Sequence, residues 1–172
     1  MPNMGKALSQ HNAKLARSQG REEASGCTGR DCCAAGGAGC PLQGNCKVEG
    51  VVYGATVTDE STGDKETYTG LTEGRFKTRF NSHAGNFRNR NQQHKTTLST
   101  HVWKLKDMGR PYRVTWTILA RARGFNTSTG VCRLCLVEKF FIMFHRETAS
   151  LNSRREIYSS CRHRRGKLLA NS

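Results

Sequence analysis

The sequence contains no long apolar run and few acidic residues. No stretch is long enough to span a bilayer, so a transmembrane protein is not expected. Residues 1–19 lack the apolar core of a signal peptide, and we therefore expect an intracellular protein. Only 13 residues are Asp or Glu, against 28 Lys or Arg, which gives a formal net charge of +15.

That positive charge predicts a polyanionic partner. Nucleic acid is the first expectation, because neutralising backbone phosphates releases bound counterions. An anionic membrane surface is the weaker alternative. The basic run RHRRGK (162–167) is typical of a nuclear localisation signal, so we expect a nuclear protein.

Large apolar residues are nearly absent from residues 21–46, which are rich in Gly, Ala and Cys. Such a segment cannot form a core alone, so we expect it to be flexible or held by a metal ion. Together with the basic arm that precedes it, it forms an N-terminal extension over residues 1–46. Residues 47–169 carry nearly all the aromatic and β-branched residues, and we expect the folded domain and a basic C-terminal segment there.

Within the folded domain, Val- and Thr-rich strand patterns alternate with apolar residues at helical spacing. The predicted elements are a strand over 48–58, a turn over 59–65, a strand over 66–72, helices over 73–90 and 96–109, a strand over 112–122 and a helix over 131–145. This order predicts a small α+β domain with a three-stranded antiparallel sheet flanked by helices. Gly109 is expected to end the second helix.

Two tyrosines and an arginine occur in an order that resembles the GIY-YIG endonucleases. Tyr53 lies in VVYGATV and Tyr68 begins the triplet YTG, as in the paired signature of that family. Arg79, in FKTRFNSH, matches the catalytic arginine of the helix that follows the signature. The resemblance implies these further site residues: His83, His94, Glu138 as the single metal-binding carboxylate, and Asn152.

A more extensive resemblance covers nearly the whole chain. PNMGKALSQHNAKLA, CPLQGNC, LSTHVWKLKD and LNSRRE look like segments of the C-terminal endonuclease module of Penelope-like retroelements. In those elements a reverse transcriptase precedes the module, so the resemblance implies DNA, template RNA and a reverse transcriptase as partners. The chain would then be an excised domain, a truncated copy or a domesticated fragment.

The residue types suit phosphodiester hydrolysis. Glu138 would hold one Mg²⁺ or Mn²⁺ ion that polarises the phosphate, and Arg79 would neutralise the charge that develops on it. A tyrosine phenol has a pKa of about 10, so Tyr53 or Tyr68 needs help to deprotonate water. Whether a tyrosine or His83 is the general base stays open. Taken singly, each of these residues is explained equally well by packing in the core or by solvation at the surface. Their occurrence together in this order favours a nuclease.

Cysteines number 8, and metal binding is favoured over disulfides in a reducing compartment. Cys132 and Cys135 form a CxxC pair, and Cys161 and His163 supply two more soft ligands, which is enough for a tetrahedral zinc site. Such a site would hold the C-terminal segment against the helix of Glu138. The alternative is that Cys132 and Cys135 are small buried helix residues.

A second group of cysteines lies in the N-terminal extension. Cys40 and Cys46 have a spacing that a zinc loop accepts, with Cys32 and Cys33 as further possible ligands. The alternative is a disordered linker that contains cysteines.

Basic side chains in two segments predict a path for a phosphate backbone without base readout. The expected DNA-binding residues are Arg75, Lys77, Arg88, Arg90, Arg154, Arg155, Arg162, Arg164 and Arg165. The alternative is that both clusters are solvated faces.

Together these features predict a metal-dependent endonuclease that nicks DNA. The resemblance implies that the nick supplies a 3′-hydroxyl primer for reverse transcription. Three alternatives stay open: a non-catalytic, zinc-containing nucleic-acid-binding module, an RNA-binding basic protein, and a structure-selective repair nuclease.

Overall fold

A computed structural model describes residues 40–163 of the chain. Its elements are β1 (Val51–Asp59), β2 (Lys65–Thr72), α1 (Phe76–Arg88), α2 (Thr97–Asp107), β3 (Tyr112–Arg121), β4 (Phe125–Asn126), β5 (Val131–Cys132) and α3 (Arg133–Phe144). Short 3-10 turns cover Arg90–Gln92, Arg146–Thr148 and Arg154–Tyr158. Within this part of the chain, no helix is both long enough and apolar enough to cross a membrane.

The sheet is antiparallel with the strand order β2-β1-β3. This confirms the predicted α+β class and the three-stranded antiparallel sheet flanked by helices. The predicted strands and helices all form, with ends that differ by a few residues. As expected, Gly109 follows α2 with a φ of 64°, a left-handed conformation that favours glycine.

The central strand β1 is covered on both faces. Tyr53 and Ala55 pack with Phe76 of α1 and with α2, whereas Val52 packs on the opposite face with Leu134 of α3. Side chains alternate across a strand, so one strand can contribute to two separate hydrophobic clusters. The sheet therefore separates a face covered by α1 and α2 from a face covered by α3.

The short hairpin β4–β5 was not predicted. Residues 126–130 (NTSTG) are turn formers, and Asn126 accepts hydrogen bonds from the backbone N–H groups of Ser128 and Thr129. Val131 and Cys132, expected at the start of a helix, instead form β5, and α3 begins at Arg133. Cys132 thereby becomes the N-cap residue of α3.

The core also takes residues from the predicted N-terminal extension. Leu42 and Cys46 are each only 1% exposed and pack in the cluster that contains Tyr53 and Phe76. Backbone bonds from Phe76 to Val48 and from Lys77 to Cys46 join this loop to the start of α1. Residues 40–46 are therefore part of the packed domain.

Candidate active site and metal centre

Tyr53 lies at the centre of the sheet, with its ring across Gly70 of the neighbouring strand. The two residues are direct partners in the β1–β2 ladder. A Cβ atom at position 70 would lie 2.5 Å from the Tyr53 hydroxyl oxygen, so only glycine leaves room for the ring. Phe76 and Trp116 enclose the ring from other directions, at centroid distances of 5.2 and 5.8 Å. The glycine of the YTG triplet is therefore required by packing.

A chain of hydrogen bonds joins Arg79, Tyr53 and His83. Arg79 Nε donates to the Tyr53 hydroxyl oxygen at 2.9 Å, and that hydroxyl lies 2.7 Å from His83 Nε2. Because Tyr53 is fully buried, we expect its hydroxyl to donate its proton to His83 Nε2. The proton of the neutral imidazole is then on Nδ1, for which residues 40–163 provide no partner.

His83 and Tyr53 are both sealed from solvent. Burial, followed by the nearby Arg79 charge, lowers the pKa of His83 to about 3, so its ring is neutral. Burial raises the pKa of Tyr53 to about 12, although Arg79 acts in the opposite direction. Neither group is placed to take a proton from bulk water. Their evident effect is to fix the guanidinium of Arg79.

Arg79 points from this network into a polar cleft of about 450 Å³. Tyr68 lines the same cleft and interacts with the guanidinium of Arg79. Although 6% of Tyr68 is exposed, burial still raises its pKa well above the usual range. Of the two tyrosines in the predicted signature, Tyr68 is therefore the one that reaches the cleft.

Glu138 reaches the cleft from α3. Burial, and next the charge of Glu156, raise the pKa of Glu138 to about 7, against the opposing effect of Arg79 and Lys139. A carboxyl in this state is half protonated at neutral pH. A cation bound beside it would favour the ionised form.

Two further carboxylates line the cleft, those of Glu73 and Glu156, and sequence reasoning missed both. Glu156 is positioned by hydrogen bonds. It accepts hydrogen bonds from the Asn152 side-chain amide at 2.9 Å and from the Ser153 backbone N–H at 2.9 Å. Ser153 and Glu156 form a capping box at the 3-10 turn Arg154–Tyr158. The pattern Ser-x-x-Glu was the readable signal for this residue.

Asn152 is buried, and its side chain pairs with the backbone of Thr69. Its Oδ1 accepts from the Thr69 N–H at 2.7 Å, and its Nδ2 donates to the Thr69 carbonyl at 2.9 Å. Both bonds lie next to Tyr68 in β2. Asn152 therefore attaches the C-terminal segment to the edge of the sheet and positions Glu156.

His94, which the resemblance also suggested as a site residue, lies outside the cleft. It is exposed in the turn before α2 and does not line the cleft, whereas Thr96, two positions later, does. Thr96 also caps α2, where it accepts a hydrogen bond from Ser99 N–H. The N-terminal end of α2 thus lies at the mouth of the cleft.

Cys132, Cys135, Cys161 and His163 come together beside the cleft. Their ligand atoms all lie within 4.8 Å of one another. Cys135 Sγ is 3.5 Å from Cys161 Sγ, and His163 Nδ1 is 3.4 Å from the Sγ atoms of both Cys132 and Cys135. Zinc–sulfur bonds of about 2.3 Å in a tetrahedron give sulfur–sulfur edges of about 3.8 Å. The cluster can bind a metal ion and is compatible with zinc.

The local electrostatics of this cluster also suit a cation. Burial and the adjacent thiols raise the pKa of Cys135, because neighbouring thiolates repel one another. Cys132 and Cys135 lie at the N-cap and in the first turn of α3, where the helix dipole favours negative charge. Three thiolates become stable together when a divalent cation neutralises them.

The second predicted cysteine group is only partly described. Cys40 Sγ and Cys46 Sγ are 3.2 Å apart, with Cys46 in the core. Cys32 and Cys33 lie outside the described residues.

The predicted DNA-binding residues are in different environments. Arg162 lines the cleft. Arg90 forms a two-pronged ion pair with Asp107 and lies 5.1 Å above the Trp103 ring, and Arg75 lies 3.9 Å from Glu49. Arg88, Arg154 and Arg155 are exposed, Lys77 is half-buried, and Arg164 and Arg165 lie outside the described residues.

Comparison of the chain with protein-family models, curated proteins and solved structures finds no match.

Proposed function

We propose that the protein is a divalent-metal-dependent endonuclease that nicks DNA at the cleft between β2, α1 and α3. The observation that carries this proposal is the convergence of Tyr68, Arg79 and Glu138 on one cavity. These residues come from three different elements, so their meeting depends on the fold. A guanidinium and a carboxylate side by side suit a phosphodiester and a metal ion respectively.

A divalent ion such as Mg²⁺ or Mn²⁺ fits the donor set of the cleft. Glu138 and Glu156 line it together, and burial, followed by the charge of Glu156, raises the pKa of Glu138. When bound, the ion supplies Lewis-acid polarisation of a phosphate oxygen. Glu138 would be the direct ligand, and Glu156, whose oxygens accept bonds from Asn152 and Ser153, would support it.

Arg79 would hold the scissile phosphate and stabilise the charge that develops on it. Its guanidinium is kept in place by Tyr53 behind it, so little reorganisation is needed when DNA binds. Tyr68 is the tyrosine that can meet an attacking water, because Tyr53 and His83 are fully buried. Arg79 and the neighbouring cation would both stabilise a Tyr68 phenolate.

A structural zinc ion in the Cys132–Cys135–Cys161–His163 cluster would hold one wall of the cleft. Cys135, Cys161 and His163 line the cleft themselves, and Lys139 of α3 donates to the Ser159 carbonyl nearby. Loss of the zinc would release the segment that carries Cys161 and His163. Zinc would therefore be required for the shape of the site, without contact to the reacting phosphate.

Nicking of a supercoiled plasmid tests the proposal. We expect wild-type protein to nick in Mg²⁺ and to be inactive in excess EDTA, and Glu138→Gln to lose activity by about 100-fold or more. Glu147→Gln, an exposed acidic residue outside the cleft, is the matched control and should nick normally. Equal nicking by wild type and Glu138→Gln would contradict the assignment of Glu138, and no nicking by any protein would favour a nucleic-acid-binding module.

The priming role rests on the resemblance to Penelope-type modules and needs its own test. Attack by water that leaves a 3′-hydroxyl predicts that a DNA polymerase extends the nick directly. A need for prior phosphatase treatment would contradict this. If branched substrates were cut far faster than plain duplex, a structure-selective repair nuclease would be favoured.

A further inference from the structure

A second and larger cavity, of about 750 Å³, lies between the β4–β5 hairpin and α3. Val131, Leu136 and Val137 contribute apolar side chains to it. No residue that lines this groove is acidic. Glu73, which packs against Gly124, lines the catalytic cleft instead.

The groove is on the side of α3 that faces away from the cleft. Leu136 precedes Glu138 by two positions, which is a rotation of about 200° around a helix. Leu136 is 57% exposed, and Met143 and Phe144 extend the apolar face along the helix at 47% and 66% exposure. Since α3 already buries Leu134 and Ile142, this is a second apolar face. Exposed apolar side chains beside a groove are typical of an interaction site.

Arginines surround the apolar floor of the groove: Arg121, Arg123 and Arg133. All three are exposed, and none of the ion pairs within residues 40–163 involves them. A matching ligand therefore needs carboxylates at its edges and apolar side chains at its centre.

The chain itself does not supply such a ligand. Residues 164–172 include Arg164, Arg165 and Lys167 but no acidic residue, and residues 1–39 contain more Lys and Arg than Asp and Glu. A second copy would bring another formal charge of +15 to the groove. All three would place net positive charge against the arginine rim.

We propose that this groove binds an acidic amphipathic helix of a partner protein. Apolar side chains spaced as on one helix face would enter between Val131 and Leu136, and flanking carboxylates would pair with the arginine rim. Duplex DNA is less well matched, because its phosphates would satisfy the arginines but leave the apolar floor and Phe144 without partners. Leu136 of the groove lies about 200° around α3 from Glu138, so a helix that packs on Leu136 does not cover Glu138.

Fluorescence anisotropy with a synthetic probe tests this proposal on the full, zinc-loaded chain. The probe is an acidic peptide of about 18 residues, or five helical turns, with leucines on one face. A second peptide of the same composition has its leucines spread over all faces. We expect the first to bind at least about 10-fold more tightly than the second, and Leu136→Glu or Arg133→Glu to weaken it by about 10-fold or more.

Met108→Glu is the matched control, since Met108 is 46% exposed but lies at the end of α2, outside the groove. It should leave peptide binding unchanged. Zinc content and melting temperature verify that each variant is folded. Equal binding of the two peptides, or binding that Leu136→Glu does not affect, would overturn the proposal. So would displacement of the peptide by equimolar duplex DNA, which would assign the rim to nucleic acid.

Discussion

The site contains two neighbouring polar networks, and they differ in which groups lie beside one another. In the buried network, Arg79 Nε donates to the Tyr53 hydroxyl and that hydroxyl bonds to His83 Nε2, while His83 Nδ1 has no partner within residues 40–163. Along the cleft, carboxylates and thiols are grouped with others of their own kind, and the pKa values of Glu138 and Cys135 are raised. The first network is joined by hydrogen bonds between unlike groups, whereas the second includes the cluster of Cys132, Cys135, Cys161 and His163, which could bind a metal ion.

The largest expected effect comes from breaking the thiol cluster. Cys135→Ser should remove one bound zinc per chain and lower the free energy of unfolding by more than about 4 kcal/mol, as loss of a structural metal does. Metal analysis and denaturant unfolding measure both quantities. Ser160→Ala, an exposed change in the same cleft, should alter neither. Unchanged zinc content in Cys135→Ser would show that this cluster is not a metal site.

A smaller effect is expected from crowding the buried network. Gly70→Ala places a methyl group against the ring of Tyr53, which cannot move away because Phe76 and Trp116 enclose it. We expect a loss of about 1–3 kcal/mol in the free energy of unfolding, without loss of zinc. Gly74→Ala is the control, because a Cβ there would meet no atom within 4 Å. Equal stability of the two variants would contradict the packing role of Gly70.

The smallest effect concerns pH. Folding raises the pKa of Glu138 from 4.5 to about 7, so its protonated form favours the fold, and this contribution is lost as pH rises through 7. Relative to Glu138→Gln, the Mg²⁺-free, zinc-loaded protein should lose about 1 kcal/mol of stability between pH 6 and pH 8.5. Glu156, Arg79 and Lys139 face the carboxyl and are present in both proteins. Added Mg²⁺ should remove the difference, and parallel pH profiles without Mg²⁺ would contradict it.

The sheet and the main helices followed from sequence periodicity, because their apolar residues face a core that each element can bury. The hairpin β4–β5 did not, because two-residue strands have no periodicity to read. The nearness of Cys132 to His163 was suggested by ligand chemistry, since zinc sets the number and type of its ligands.

The burial of Tyr53 and His83 could not be predicted from the sequence, because it depends on which face of β1 packs against α1. For the same reason, the sequence could not show that Tyr68 reaches the cleft and that Tyr53 does not. Glu156 had a readable capping pattern, but its position beside Glu138 depends on the bonds between Asn152 and Thr69. The burial of Tyr53 and the position of Glu156 depend on contacts between distant segments, which the residue pattern alone does not define.

Direct titration of Mn²⁺ into the zinc-loaded protein tests the central claim, that the cleft holds a divalent ion. Isothermal calorimetry should find one additional ion per wild-type chain. Binding should be lost in Glu138→Gln, weakened by about 10–100-fold in Glu156→Gln, and unchanged in Glu147→Gln. A wild-type chain that binds no ion besides zinc, or a Glu138→Gln variant that binds Mn²⁺ as tightly as wild type, would contradict the account.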